Sequence, residues 1–263
     1  MSNNIEIEKE ESEKYDFVFI PDSEEKVKRR LVELSKRNVA IVEAMIRNNS
    51  AYNKSADINK GPSKTYSGKN YSGSTGYWMN ELKKYLSKEK TQNKNKYEEI
   101  IKNAVYAVDR DNRTHLNSDN VGREEISKRI IAFQPDELKK CLKDPVKTDF
   151  KLIKKISEKT QATKGRENIS FASKFCHYAS FYLFEGKPEQ DNYSIYDNVL
   201  LKILPDYIKY YDLNEKLEKK DYENYWKIIV KIRESATKKA KQNKPISRNG
   251  FDHLLWYYYK GKL

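Results

Sequence analysis

The chain has 263 residues, of which 37% are hydrophobic and 12% aromatic, and its 52 Lys+Arg against 39 Asp+Glu give a formal charge of +13. That apolar share supports a core in one large domain or two packed lobes and excludes a wholly disordered chain. No stretch reaches the ~18–20 consecutive apolar residues of a membrane span, the N-terminus is acidic where a leader would be basic, and two cysteines and three histidines lack ligand spacing, so the expectation is a cytoplasmic protein without disulfides, metal or cofactor.

Residues 1–14 hold five glutamates and two lysines and read as an acidic disordered tail. Asp16 to Ile20 is a short β-like run closed by Pro21 and Asp22. Asp22 or Ser23 then caps a long predicted helix in which Val27, Leu31, Leu34, Ile41 and Met45 recur at three-to-four spacing, with Asn38 on its one polar turn. Residues 48–77 carry Gly61, Gly68, Gly73, Gly76, Pro62 and Tyr52, Tyr66, Tyr71 and Tyr77 without core periodicity. They read as one long loop, either contacting nucleic acid or disordered. From Tyr77 the pattern is helical, with segments near 78–87, 95–108, 122–133, 135–143, 148–161, 168–184, 194–203, 205–211, 221–242 and 247–260. Pro135 and Pro205 are expected in first helical turns, followed by Asp136 and Asp206 where a carboxylate complements the helix dipole. The fold class is mainly α, an irregular multi-helix bundle with at most one short N-terminal strand. An N-terminal helical lobe over 15–147 and a C-terminal lobe over 148–263 are expected.

The positive charge is concentrated. Residues 138–166 and 226–248 each carry a net +7. Lys151, Lys154, Lys155 and Lys159 share one face of a helix whose other face carries Phe150, Ile153 and Ile156; Lys227, Lys231, Lys238 and Lys241 repeat that design opposite Trp226, Ile229 and Ile232. Two readings fit. Lysine-rich faces are often only solvated surface. Clustered cations also displace counterions from a polyanion, and Lys151, Lys154, Lys155, Lys164, Arg166, Lys227, Lys231 and Arg248 are the candidate contacts to nucleic acid, foremost double-stranded DNA. No wide apolar face accompanies them, which argues against a membrane partner.

One lysine differs from the rest. Lys174 stands among Ile169, Phe171, Ala172, Phe175, Cys176 and Ala179, where desolvation favours the neutral, nucleophilic amine; Asp197 stands between Ile195-Tyr196 and Val199-Leu200 at a helix start. A lysine reaching out of a core helix and an aspartate capping the next one account for both residues structurally.

Ser173-Lys174 with His177 on an aromatic-rich helix, Ile195-Tyr196-Asp197 opening the next, and the closing run Gly250 to Trp256 ending in Tyr259-Lys260-Gly261-Lys262 together resemble the helix-hairpin-helix DNA glycosylases. They are most similar to the divergent bacterial branch of the 8-oxoguanine glycosylase type, over roughly residues 148–263. The resemblance implies that Lys174 attacks the anomeric carbon and displaces a damaged or modified base, and that Asp197 stabilises the sugar cation and moves protons. It implies a flipped-out base, lyase activity, and a role in repair or phage defence. The family's Gly-rich hairpin turn corresponds to residues 162–167, where Gly165 is flanked by Lys164 and Arg166. The alternatives are a non-catalytic nucleic-acid-binding module and a ribonuclease or toxin, because Arg110 and His115 form the Arg-x4-His pattern that resembles HEPN ribonucleases. His177 and His253 read as structural.

Overall fold

A computed structural model describes residues 15–62, 73–87, 93–116, 121–161, 163 and 165–263. Among them are twelve α-helices, one 3-10 turn (Pro188–Asp191) and a single isolated antiparallel bridge, Phe19 with Val32, in place of a strand. The architecture is mainly α, and none of these helices is long and apolar enough to cross a membrane. The acidic residues 1–14, the middle of the Gly/Tyr-rich stretch (63–72) and Lys164 lie outside the described residues. The chain divides into two compact units: Ser50–Ile195 is continuous, and the other is built from residues up to Asn49 together with Tyr196–Leu263. That division replaces a boundary near residue 148, because the N-terminal helices pack on the C-terminal ones.

The discontinuous unit contains α1 (Ser23–Val27), α2 (Lys36–Asn48), α10 (Asn198–Tyr210), α11 (Tyr222–Lys239) and α12 (Arg248–Tyr259). The single long helix expected from residue 23 onward is two helices. Lys28 takes a left-handed conformation (φ 57°) and ends α1, and residues 30–34 run extended beside 16–20. Ile20 N–H donates to Leu31 O at 2.8 Å and Glu33 N–H to Val18 O at 2.9 Å. Asn38, fully buried, locks this turn: its carboxamide accepts from Val18 N–H (2.9 Å) and donates to Val18 O (2.7 Å) and Glu33 O (2.8 Å). Those bonds supply the backbone partners that a buried irregular segment needs. Two tyrosines close the same segment from the far end of the chain, Tyr207 Oη donating to Val32 O (2.7 Å) and Tyr259 Oη accepting from Val32 N–H (3.0 Å).

A second difference lies in α10. Pro205 sits inside this helix and does not start a new one. Leu200, Ile203, Leu204, Tyr207 and Ile208 form one uninterrupted buried face across it, so packing holds the helix through the missing N–H donor. Pro135 does open a helix, α7, with Gln134 as its N-cap.

The continuous unit contains α3 (Ser50–Ala56), α4 (Thr75–Leu86), α5 (Lys94–Asn112), α6 (Val121–Ile131), α7 (Pro135–Lys143), α8 (Lys151–Ser157) and α9 (Ile169–Leu183). The stretch expected to be one long loop over 48–77 therefore includes α3 and the first turn of α4; α3 buries no residue of its own, which is why no core pattern marks it. Helix α9 is the centre of this unit, packing on α4, α5, α7 and α8 and burying Phe171, Ala172, Phe175, Cys176 and Ala179. The last carbonyls of α7 are satisfied by side chains, with Tyr193 Oη donating to Cys141 O, and Ser180 and Asn192 both donating to Leu142 O.

Candidate active site

Lys174 lies on α9, half-buried, with Nζ donating to the Ser170 hydroxyl one turn earlier at 3.3 Å. Its neighbours along the helix point inward: Phe171 and Phe175 stack at 6.2 Å, and Ser173, fully buried, donates to Ser170 O. His177 is buried, with its Nδ1–H donating to Tyr193 O at 2.9 Å.

Helix α9 is the second arm of a hairpin, packed against α8, which precedes it. The turn between them is held by hydroxyls and cations. Thr160 and Thr163 exchange bonds between their hydroxyls and amides, Thr163 Oγ1 also donates to Arg166 O, and Gly165 adopts φ 76° with open space around it. Only glycine takes that backbone conformation without strain. Asn168 closes the turn by donating to Glu158 O, and Arg129 donates to Glu158 O (2.5 Å) and Lys159 O (2.7 Å). Arg166 is exposed and reaches the carbonyls of His115 (3.0 Å) and Thr114 (3.4 Å).

Asp197 is the N-cap of α10, its Oδ1 accepting from Val199 N–H at 2.8 Å. The residue before it is fixed twice over. The Tyr196 ring meets Tyr225 edge-on at 4.9 Å, and its hydroxyl accepts from Lys220 N–H at 2.9 Å. Burial pushes the Tyr225 phenol well above its ordinary range, and the charges of Asp252 and then Asp197 push the same way. Asp252 is itself buried. Lys174 belongs to the continuous unit and Asp197 to the discontinuous one.

The basic stripes differ from an array of open cations. Lys151 pairs with Glu137 (2.5 Å), Lys154 with Asp149 (2.9 Å), Lys155 with Glu158 (3.0 Å), Lys227 with Glu223 (2.6 Å) and Lys231 with Glu215. These lysines are solvent-exposed. Such pairs contribute about 0–1 kcal/mol each, so a phosphate displaces the carboxylate at little cost, but the local potential is weaker than counting cations within each block implies. Arg248 lies over the Trp226 ring at 4.4 Å.

Arg110 and His115 do not share a helix. Arg110 is in the last turn of α5, where it donates to Gly73 O (2.8 Å) and pairs with Asp111, whereas His115 follows the helix with φ 56°. The residues around Arg110 serve structure. Buried Asp109 accepts from Thr114 and Leu116 and pairs with Arg123 at 2.7 Å, Asp111 accepts from Thr75, and Asn112 accepts from Tyr178 Oη. Spacing alone does not reveal this hub, because its partners lie on α4, α6 and α9.

Compared with known proteins, the chain matches no family model, no curated protein and no solved structure.

Proposed function

We propose that the protein is a DNA-binding base-excision glycosylase with lyase activity, with Lys174 as the amine nucleophile and Asp197 as the carboxylate that stabilises the developing sugar cation. The observation that carries the reading is the placement of Lys174: a half-buried amine on an apolar helix, one turn from a hydroxyl, on the second arm of a packed helical hairpin whose turn holds a left-handed glycine. The Ser-Lys and Ile-Tyr-Asp resemblance supplies the roles.

In this reaction the Nζ lone pair forms a bond to C1′ of the deoxyribose, the glycosidic C1′–N bond breaks, and its electron pair leaves with the base, which takes up a proton. Nζ then gives up a proton, O4′ takes one up as the C1′–O4′ bond breaks onto oxygen, and a protonated imine remains. Removal of a C2′ proton expels the 3′-phosphate. Asp197, as an acceptor-only carboxylate, suits the proton transfers and the cationic sugar.

Borohydride trapping on duplexes bearing a panel of damaged and modified bases tests this. Wild type is expected to form a covalent adduct, Lys174→Gln none, and Asp197→Asn to release base about 100-fold more slowly. Asparagine caps a helix as well as aspartate does, so this variant removes the charge and keeps α10. Bound DNA with no adduct and no base released from any substrate would sink the proposal.

A further inference from the structure

Two cations of the discontinuous unit lie on aromatic rings that meet each other. The Arg30 guanidinium sits 3.6 Å from the centroid of the Phe19 ring, Phe19 meets the edge of Tyr258 at 5.7 Å, and Lys262 Nζ lies 4.0 Å over Tyr258. Four side chains from three separate stretches of chain thus form a continuous series of cation, ring, ring and cation. Arg30 is exposed and the other three are half-exposed. Beneath them the buried Phe17 ring also meets Tyr258, at 5.1 Å.

The series is built on a fixed frame. Leu31 N–H donates to the Ser23 hydroxyl, and Tyr259 Oη donates to Arg30 O, so the backbone on both sides of the guanidinium is held. Burial raises the Tyr258 phenol and the charge of Arg30 opposes that shift, as expected of a cation beside the ring. Arg30 also forms one wall of a polar groove of about 570 Å³ lined by residues 16–25 and Arg37, a volume within the range of small-ligand sites. Lys28 and Arg29 precede it, Lys28 exposed and Arg29 paired with Asp206.

Aromatic faces and guanidinium planes stack on bases of any sequence when those bases are unpaired, and adjacent cations take the phosphates. An acidic peptide would use the two cations but gain nothing from the rings. We infer that the Phe19–Arg30–Tyr258–Lys262 face is a binding site for an unpaired nucleotide of single-stranded nucleic acid, with a base on the Arg30/Phe19/Tyr258 stack and phosphates on Arg30 and Lys262. The site goes beyond the Lys174 chemistry and does not depend on it.

The test is fluorescence anisotropy of a short labelled oligothymidylate with the full chain, as wild type, Arg30→Gln with Lys262→Gln, and Tyr258→Leu. The double variant and Tyr258→Leu are each expected to weaken binding about tenfold or more, while duplex binding stays within twofold of wild type. Thermal melts of each variant separate lost binding from lost fold, and the Arg30/Lys262 double variant is the one expected to melt as wild type does. Unchanged oligothymidylate affinity in the double variant overturns the inference. So does an equal loss of polyglutamate binding in Tyr258→Leu, because that would make the face a general anion site. Failure here leaves the borohydride result standing, and a failed trap leaves this titration standing.

Discussion

Asn38 shows how far a residue's role can lie from its place in a periodic pattern. Read along the chain it is the polar turn of a helix; in the folded unit it is fully buried and makes three hydrogen bonds to the backbone at Val18 and Glu33. Asn38→Ala strips the partners from buried amide and carbonyl groups, and it is expected to lower the unfolding free energy by about 2–4 kcal/mol in urea titration. Lys174 and Asp197 were legible as exceptions because each breaks an apolar run locally, and Asp197 does cap its helix. Two of the lysine pairs, Lys151 with Glu137 and Lys231 with Glu215, are not. Glu137 lies 14 residues from Lys151 and Glu215 lies 16 from Lys231, distances at which sequence spacing carries no geometry. The Arg30, Phe19 and Tyr258 stack is hidden in the sequence for the same reason: it exists only once residues 19, 30 and 258 are brought together.

At the scale of elements, the long amphipathic segments α4, α5, α6, α7, α9, α11 and α12 were readable from periodicity to within a few residues. The failures have physical causes. The expected helix running on from Ser23 breaks because extended residues 16–20 compete for the same backbone donors and Asn38 settles the competition. Pro205 fails as a boundary because the buried face of α10 outweighs one lost hydrogen bond. Helix α3 was invisible because it buries nothing itself; its contribution is a carbonyl. A Cβ added at Gly76 would stand 2.2 Å from Ala56 O and 2.8 Å from Tyr182 Oη, so the approach of α3 to α4 requires glycine. Gly76→Ala is therefore expected to destabilise by about 2–3 kcal/mol in spite of alanine's better helix propensity, with a lowered denaturation midpoint as the measurement. A neutral or stabilising result would mean that the two helices slide apart freely.

For the molecule as a whole, twenty tyrosines make alkaline pH its weak side. Burial pushes Tyr207 and Tyr225 well above the ordinary value of 10, and it raises Tyr97, Tyr211 and Tyr259 in the same direction and Tyr182 to about 12. Above pH 10 the unfolded chain loses these phenolic protons while the folded chain keeps them, so the native state binds more protons and stability falls as pH rises. The contribution is intact below pH 10 and is lost as pH climbs toward and past 12. Denaturation midpoints are expected to hold steady through neutrality and drop steeply above about pH 10, with phenolate absorbance lagging that of free tyrosine; a flat midpoint there would contradict the burial of these rings. The split into a continuous and a discontinuous unit also has a temporal side. Residues 50–195 are complete as soon as they leave the ribosome, whereas Val32 must wait for Tyr207 and Tyr259, 175 and 227 residues downstream. During synthesis the early segment up to Asn49 is thus an unfinished half with its apolar residues uncovered. Truncations that remove α12 should strand that half and leave the middle of the chain to fold by itself.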